Sequence, residues 1–410
     1  MASKIVYLDG LRGLAACVVV VSHFFQVFAP SVFEGKPEIV HFSFESFTAR
    51  TPLNLLFNGN FSVCVFFVLS GFVLSWRYFS TLDKIHIYSS ALRRYFRLAV
   101  PAALSVVLAY MVMLLGLGYF SDIRQTTLSS MPDPFVASSN FLVMIQEALF
   151  HNFFRYGSAY NPVLWTMTYE LFGSFLIFGF LLTIGRFKLR FIGYVILAVL
   201  LIDSYYLGFV LGMALSDLKY SGRNWLTVIQ RPWITLFLLC IGLYLGSYPY
   251  VGIENTVYSL LVWKTSSFSF FVFYHTLGAF FTLTALLNSS RLQSLFSRKL
   301  FSYLGKISFS LYLLHFTIIC SLGSYIFYQL HLLFSYSLSV TLTVILTTPI
   351  IFALAHWFYL FVDAKTLSLL GKWSKRIFDP LIQKRIATCK WKKQKAYKNT
   401  KKPPIATSIK

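Results

Sequence analysis

The amino-acid sequence predicts an all-α, polytopic integral membrane protein, and three observations carry that prediction. Hydrophobic residues make up 57% of the chain and aromatic residues 19%, with a mean hydropathy of +0.67, too apolar for a water-soluble domain. Apolar runs of spanning length recur along most of the chain. Lys and Arg fall mainly on alternate connections between those runs. The net charge of +22, which in a soluble chain would suggest nucleic acid, is therefore sorted by membrane side first. After that sorting, no nucleic-acid partner is expected.

Ten spans are expected, at about residues 11–29, 61–77, 98–117, 162–184, 191–203, 204–217, 233–248, 268–287, 307–329 and 336–361. The fifth and sixth are short, roughly 20 Å each against a hydrocarbon core of ~30 Å, and a single span centred on Asp203 is the alternative. Charge decides between the two counts. Ten spans with an inner N-terminus put 31 of the 36 Lys and Arg inside, leaving Lys36, Arg50, Arg124, Arg155 and Lys264 outside. Merging the two short runs would carry the basic loops near 223 and 298, and the basic C-terminal tail, to the outer side. Both termini are accordingly expected to be cytoplasmic.

Residues 1–365 read as one transmembrane domain and 366–410 as a basic cytoplasmic tail, where Trp373, Phe378 and Trp391 are interspersed among cations. Such a tail is expected to lie against anionic membrane lipids. The long outer loop 118–161 contains FLVMIQEALF, whose pattern predicts a short helix on the membrane surface. No cleavable signal peptide is expected, because no small-residue cleavage site follows a short apolar core. Cys17, Cys64, Cys240 and Cys320 sit in apolar runs and Cys389 in the tail. They form no C-x-x-C pair, so neither a disulfide framework nor a metal site is expected.

The chemistry centres on residues 7–25, YLDGLRGLAACVVVVSHFF. Arg12 and His23 are 11 residues apart, almost three helical turns, so they share a face about 16 Å apart along the axis. That places the imidazole near mid-membrane, where an ionisable group marks a functional site by default. Asp9 lies three residues before Arg12 and either orients it or caps the helix. Glu170, about 12 Å into the fourth span from the outer side, needs a partner at that depth. His23, rising from the other side, is the expected one: a Glu–His pair fixes the tautomer of a general base. Arg93, Arg94 and Arg97 precede the third span, with 93 and 97 sharing a face; they read as a polyphosphate site with Arg12, or as ordinary flanking charge. His315 is either a second catalytic imidazole or a structural one, while His275 and His356 read as structural. Ser70-Gly71 reads as a helix-packing point, since G-x-S-x-G is missing.

Five separated segments, YLDGLRGLAA…SHFF, VFFVLSGFVLS, LRRYFRLAVPA, PVLWTMTYELFGS and LGKISFSLYLLH, resemble in order the motifs of the acyltransferase-3 integral membrane acyltransferases. The resemblance implies a ten-helix domain that moves an acyl group, usually acetyl, from cytoplasmic acyl-CoA to an extracytoplasmic hydroxyl. Its acceptors are sugars of surface polysaccharide, lipopolysaccharide, lipid-linked glycan or peptidoglycan. It implies His23 as catalytic residue with Arg12 in the same motif, Glu170 as the acid of the tryptophan-containing motif with Trp165 supporting it, and Arg93 and Arg97 on the donor side, where Arg12 is expected to join them. Asp9 and His315 complete the expected site. Ser62 departs from the family pattern, standing where glycine is common, and no esterase-like domain follows the tail, so no fused second step is expected.

The expected function is thus a membrane O-acyltransferase of the plasma (bacterial inner) membrane. Acetyl-CoA is its donor substrate, and no cofactor or metal is permanently bound. A proton-coupled transporter is the alternative from another class, since carriers also use intramembrane His, Glu and Arg. A fold-retaining scaffold without chemistry is the third.

Overall fold

The computed structural model describes residues 5–220, 231–254, 256–262, 268–377 and 380; among these the secondary structure is helical, with no strand. The apolar runs form helices because in lipid each backbone amide and carbonyl must find its partner within the segment. The principal helices are α1 (Val6–Phe28), α2 (Gly59–Thr81), α3 (Ile85–Leu114), α4 (Thr166–Thr183), α5 (Arg190–Leu200), α6 (Tyr206–Tyr220), α7 (Pro232–Gly246), α8 (Phe270–Asn288), α9 (Lys299–Ile318) and α10 (Tyr336–Phe358). Among the described residues, seven segments are long and apolar enough to cross a membrane: those containing α1 to α4 and α8 to α10. The chain is an all-α polytopic membrane protein.

The remaining expected spans are α5, α6 and α7, helices of 11, 15 and 15 residues. Residues 201–205 break α5 from α6, so the run is not one helix through Asp203. Instead Arg190, at the start of α5, pairs with Asp217 near the end of α6, its Nε and Nη2 donating at 2.5 and 2.6 Å. That contact closes an antiparallel hairpin. α5 has no buried residue, and Phe191, Val195 and Val199 point outward, as a lipid-facing surface requires.

Two close crossings set the geometry of the centre. α1 and α9 run parallel and touch through glycine: a Cβ on Gly13 would lie 2.5 Å from the Gly305 amide nitrogen. α2 and α6 meet the same way, a Cβ on Gly212 falling 2.0 Å from the Val68 carbonyl oxygen. Without a hydrophobic force between helices in lipid, such small-residue seams let backbones approach and dispersion hold them. α3 begins thirteen residues before the expected span, at Ile85, so its arginines lie on a continuous helix. α9 runs on through a π turn, Ile319–Gly323, to His331.

α10 likewise continues through a π turn, Tyr359–Asp363, into a helix that reaches 377. It crosses the boundary expected at 365–366 without a break, and Ser374 Oγ meets Ser89 Oγ at 2.7 Å. The rest of the expected tail, except 380, lies outside the described residues. In the outer loop, FLVMIQEALF forms the helix Phe141–Gln146 and its π continuation Glu147–His151, with Phe141, Leu142 and Phe150 exposed.

Candidate active site

A cavity of about 540 Å³ opens at the end of the bundle where α1 begins. Its mouth carries Arg12, Arg77 and Lys306, with Trp76 beside them. Deeper in, its wall turns apolar, through Phe309, Met167, Phe67 and Phe66. Arg77 to Phe66 is 11 residues of α2, about 16 Å of depth. The deep end is Tyr312, whose hydroxyl donates to the Val163 carbonyl at 2.6 Å and sits 2.8 Å from Thr166 Oγ.

One turn beyond Tyr312, His315 meets His23. The rings lie 4.8 Å apart edge to face, and His315 Nε2 is 3.1 Å from His23 Nδ1. His23 Nδ1 also lies 2.9 Å from the Val19 carbonyl, and His315 Nδ1 is 2.9 Å from the Leu311 carbonyl. A carbonyl oxygen only accepts, so both Nδ1 atoms carry hydrogens in this arrangement. His315 Nε2 is then an acceptor, and the Nδ1–H of His23 is shared between it and Val19. This assigns the tautomer of His23: its Nε2 has the free lone pair.

The acid is elsewhere. Glu170 does not pair with His23 as the sequence suggested; it forms a salt bridge with Arg94 Nη2 and accepts from Ser70 Oγ at 2.8 and 3.1 Å. Arg94 Nε donates to Ser174 Oγ at 2.6 Å, and Ser174 in turn donates to the Glu170 carbonyl. α4 presents Glu170 to α3 and α2 rather than to α1, which is why depth alone misassigned the partner. Ser70 is likewise more than a packing point: Gly71 makes the close helix contact, and Ser70 holds the carboxylate.

The arginines divide three ways. Arg94 is buried in its ion pair, and Arg97 lines the cavity with no hydrogen bond or salt bridge to the described residues. Arg93 lies outside the cavity lining, and its Nε donates to the Ser89 carbonyl at 2.9 Å. The 93/97 pairing expected from i, i+4 spacing is thus replaced by 94/97. The i, i+3 relation, which also puts two residues on one face, was the available signal. Arg12 lines the mouth and is held by Asp9 at 2.9 Å. Asp9 sits in the first turn of a helix that starts at Val6, so it orients Arg12 and is not the cap. Trp165 packs on Tyr205 and Tyr169 with ring centroids 5.1 and 5.7 Å away, outside the cavity lining. His275 is buried and hydrogen-bonded by Asn60 Nδ2 at 2.8 Å, a structural role.

The family model described as "Acyltransferase domain" (Acyl_transf_3) matches residues 5–356. The chain belongs to the acyltransferase-3 family. Comparison with curated proteins and with solved structures gave no match. The match covers the helices from α1 through most of α10, and hence the cavity mouth, Tyr312 and both histidines. The protein is therefore a membrane acyltransferase by family, which removes the transporter as the leading alternative.

Proposed function

We propose that this acyltransferase transfers an acyl group, acetyl in the simplest case, from cytoplasmic acyl-CoA to a hydroxyl of an extracytoplasmic glycan or lipid-linked sugar. Its setting is the plasma (bacterial inner) membrane, with both termini cytoplasmic. The observation that carries the reading is one cavity with cations at its mouth and an apolar deep end, one turn from His315, whose Nε2 in turn meets Nδ1 of His23 and leaves the Nε2 of His23 free. A cationic mouth suits the phosphates of CoA, and an apolar bore suits its pantetheine arm and acyl group. The basic end is the one that charge asymmetry assigns to the cytoplasm.

His23 Nε2 takes the proton of the acceptor hydroxyl as that oxygen attacks the thioester carbonyl. The tetrahedral intermediate collapses with cleavage of the C–S bond, and the CoA thiolate recovers the proton from His23. As His23 becomes cationic, its Nδ1–H points at the lone pair of His315, which spreads the charge without a buried carboxylate. Glu170 acts at a distance from this step, holding Arg94 in the cavity wall. Arg12 and Arg97 bind donor phosphate directly.

The test is the fate of labelled acetyl-CoA with the full chain in lipid nanodiscs, comparing wild type with His23→Ala. Label should leave CoA only with His23 intact, since a general base contributes roughly 10²–10⁴-fold. Retained turnover in a folded His23→Ala protein would sink the assignment.

A further inference from the structure

A second, smaller pocket of about 170 Å³ lies at the opposite end of α1 from the donor cavity, lined by Gln26, Phe33, Glu34, Ser130, Met131 and Tyr250, with Pro30. Its relation to the first follows from helix geometry. At 100° per residue, Leu8, Asp9, Arg12, His23 and Gln26 fall within an arc of roughly 100° on α1. One face of one helix therefore lines the donor cavity, carries His23, which lines neither cavity, and then contributes Gln26 to the second pocket. Gln26 is only about 4.5 Å beyond His23 along the axis.

The lining specifies what the pocket accepts. Glu34 supplies a carboxylate whose Oε2 is held by Lys36 at 2.7 Å, while its Oε1 is buried and Ser130 also bonds to the group. An ionised carboxylate accepts at about four lone-pair positions, so Lys36 and Ser130 leave room for donors from a ligand. Burial alone would raise its carboxyl, but hydrogen bonds from Lys36 and Ser130, and the charge of Lys36, outweigh burial and hold it below the usual carboxylate range. Tyr250 is fixed in place, its hydroxyl accepting from the Asn60 amide at 3.1 Å, and Phe33 stands edge-on to it at 4.9 Å. The carboxylate disfavours an anionic ligand and excludes a purely apolar one. The size falls below the roughly 300–1,000 Å³ of pockets for drug-sized ligands, which suits one ring and not a chain.

We propose that this pocket is the acceptor subsite: it binds one neutral, hydroxyl-rich sugar ring, with Glu34 accepting from ring hydroxyls and Phe33 against the ring's apolar surface, and aims a further hydroxyl at His23. The proposal rests on the acyl-transfer reading above and adds the site at which the acceptor waits. The acceptor O–C bond forms as the thioester C–S bond breaks, and the hydroxyl proton passes through His23 to the thiolate.

The experiment uses the full chain in nanodiscs, acetyl-CoA as donor, and methyl glycosides of a hexose, a 6-deoxyhexose and an N-acetylhexosamine as probes. A thiol introduced by Met131→Cys is labelled with a maleimide, with and without each glycoside, and the unsubstituted chain supplies the background from its native cysteines. The expected result is that at least one glycoside slows labelling. For that glycoside, Glu34→Gln should raise the KM tenfold or more while the KM for acetyl-CoA stays the same. Acetyl-CoA turnover with no protection by any glycoside, or with an unchanged glycoside KM in Glu34→Gln, overturns the pocket and leaves the acyltransferase reading standing. Absence of any acetyl-CoA binding or turnover overturns both.

Discussion

Replacing Arg97 with Gln separates donor recognition from scaffold. Arg97 faces the cavity with no hydrogen bond or salt bridge among the described residues, though Asp363 shares its wall, whereas Arg94, one turn away, is neutralised by Glu170. A hydrogen bond from a charged donor is worth about 1.5–3 kcal/mol, and each 1.4 kcal/mol is tenfold in affinity. Arg97→Gln should therefore raise the KM for acyl-CoA about 10- to 150-fold with kcat nearly unchanged. Thermal stability should hold or rise, because a cation near Arg12 and Arg94 is gone. Arg94→Gln should do the opposite: it strands the Glu170 carboxylate, and breaking a buried pair costs about 3–5 kcal/mol, so the melting midpoint falls. Arg93→Gln should leave both readouts within about twofold, since its guanidinium lies outside the cavity. The assay pairs labelled acyl-CoA kinetics in nanodiscs with thermal melting of the same samples. An unchanged KM in Arg97→Gln, or a larger KM effect from Arg93→Gln, refutes the division of roles.

Three further predictions concern the frame around the site. His315→Ala removes the acceptor of the His23 Nδ1–H but leaves Val19, so kcat should fall by less than the roughly 10²–10⁴-fold loss of the base itself, with donor KM unchanged; an effect confined to KM would contradict it. Gly305→Ala places a Cβ 2.3 Å from the Asp9 carbonyl oxygen, where backbone must move. It should cost about 1–3 kcal/mol and separate the histidines, lowering kcat in protein that still inserts; wild-type kcat would count against the crossing as the positioning device. Asp217→Asn strips charge from the carboxylate that accepts from Arg190 and from Tyr194 at 3.0 Å. The melting midpoint should fall by the equivalent of about 1.5–3 kcal/mol with donor KM unaffected, and an unshifted midpoint would show that the α5–α6 hairpin does not depend on this pair.

The sequence by itself determined everything governed by one helix or by bulk composition. The apolar runs required membrane helices, and the cations marked one end of the bundle. The 11-residue step from Arg12 to His23 placed both on one face, because helical period is a local property. Intrahelical neighbours such as Asp9 and Arg12 were legible for the same reason. What the sequence left open was which faces meet across helices. Glu170 has the right depth for His23, yet the packing of α4 turns it to Arg94 and Ser70. His315 was ambiguous until the Gly13–Gly305 contact brought α9 within reach of α1 and set its Nε2 against His23. Arg93, Arg94 and Arg97 are near-equals in a string of letters, and only the cavity wall separates them. Depth along a helix is set by counting residues, whereas rotation about its axis is set by where neighbouring helices let it pack. Only the tertiary structure holds the second quantity.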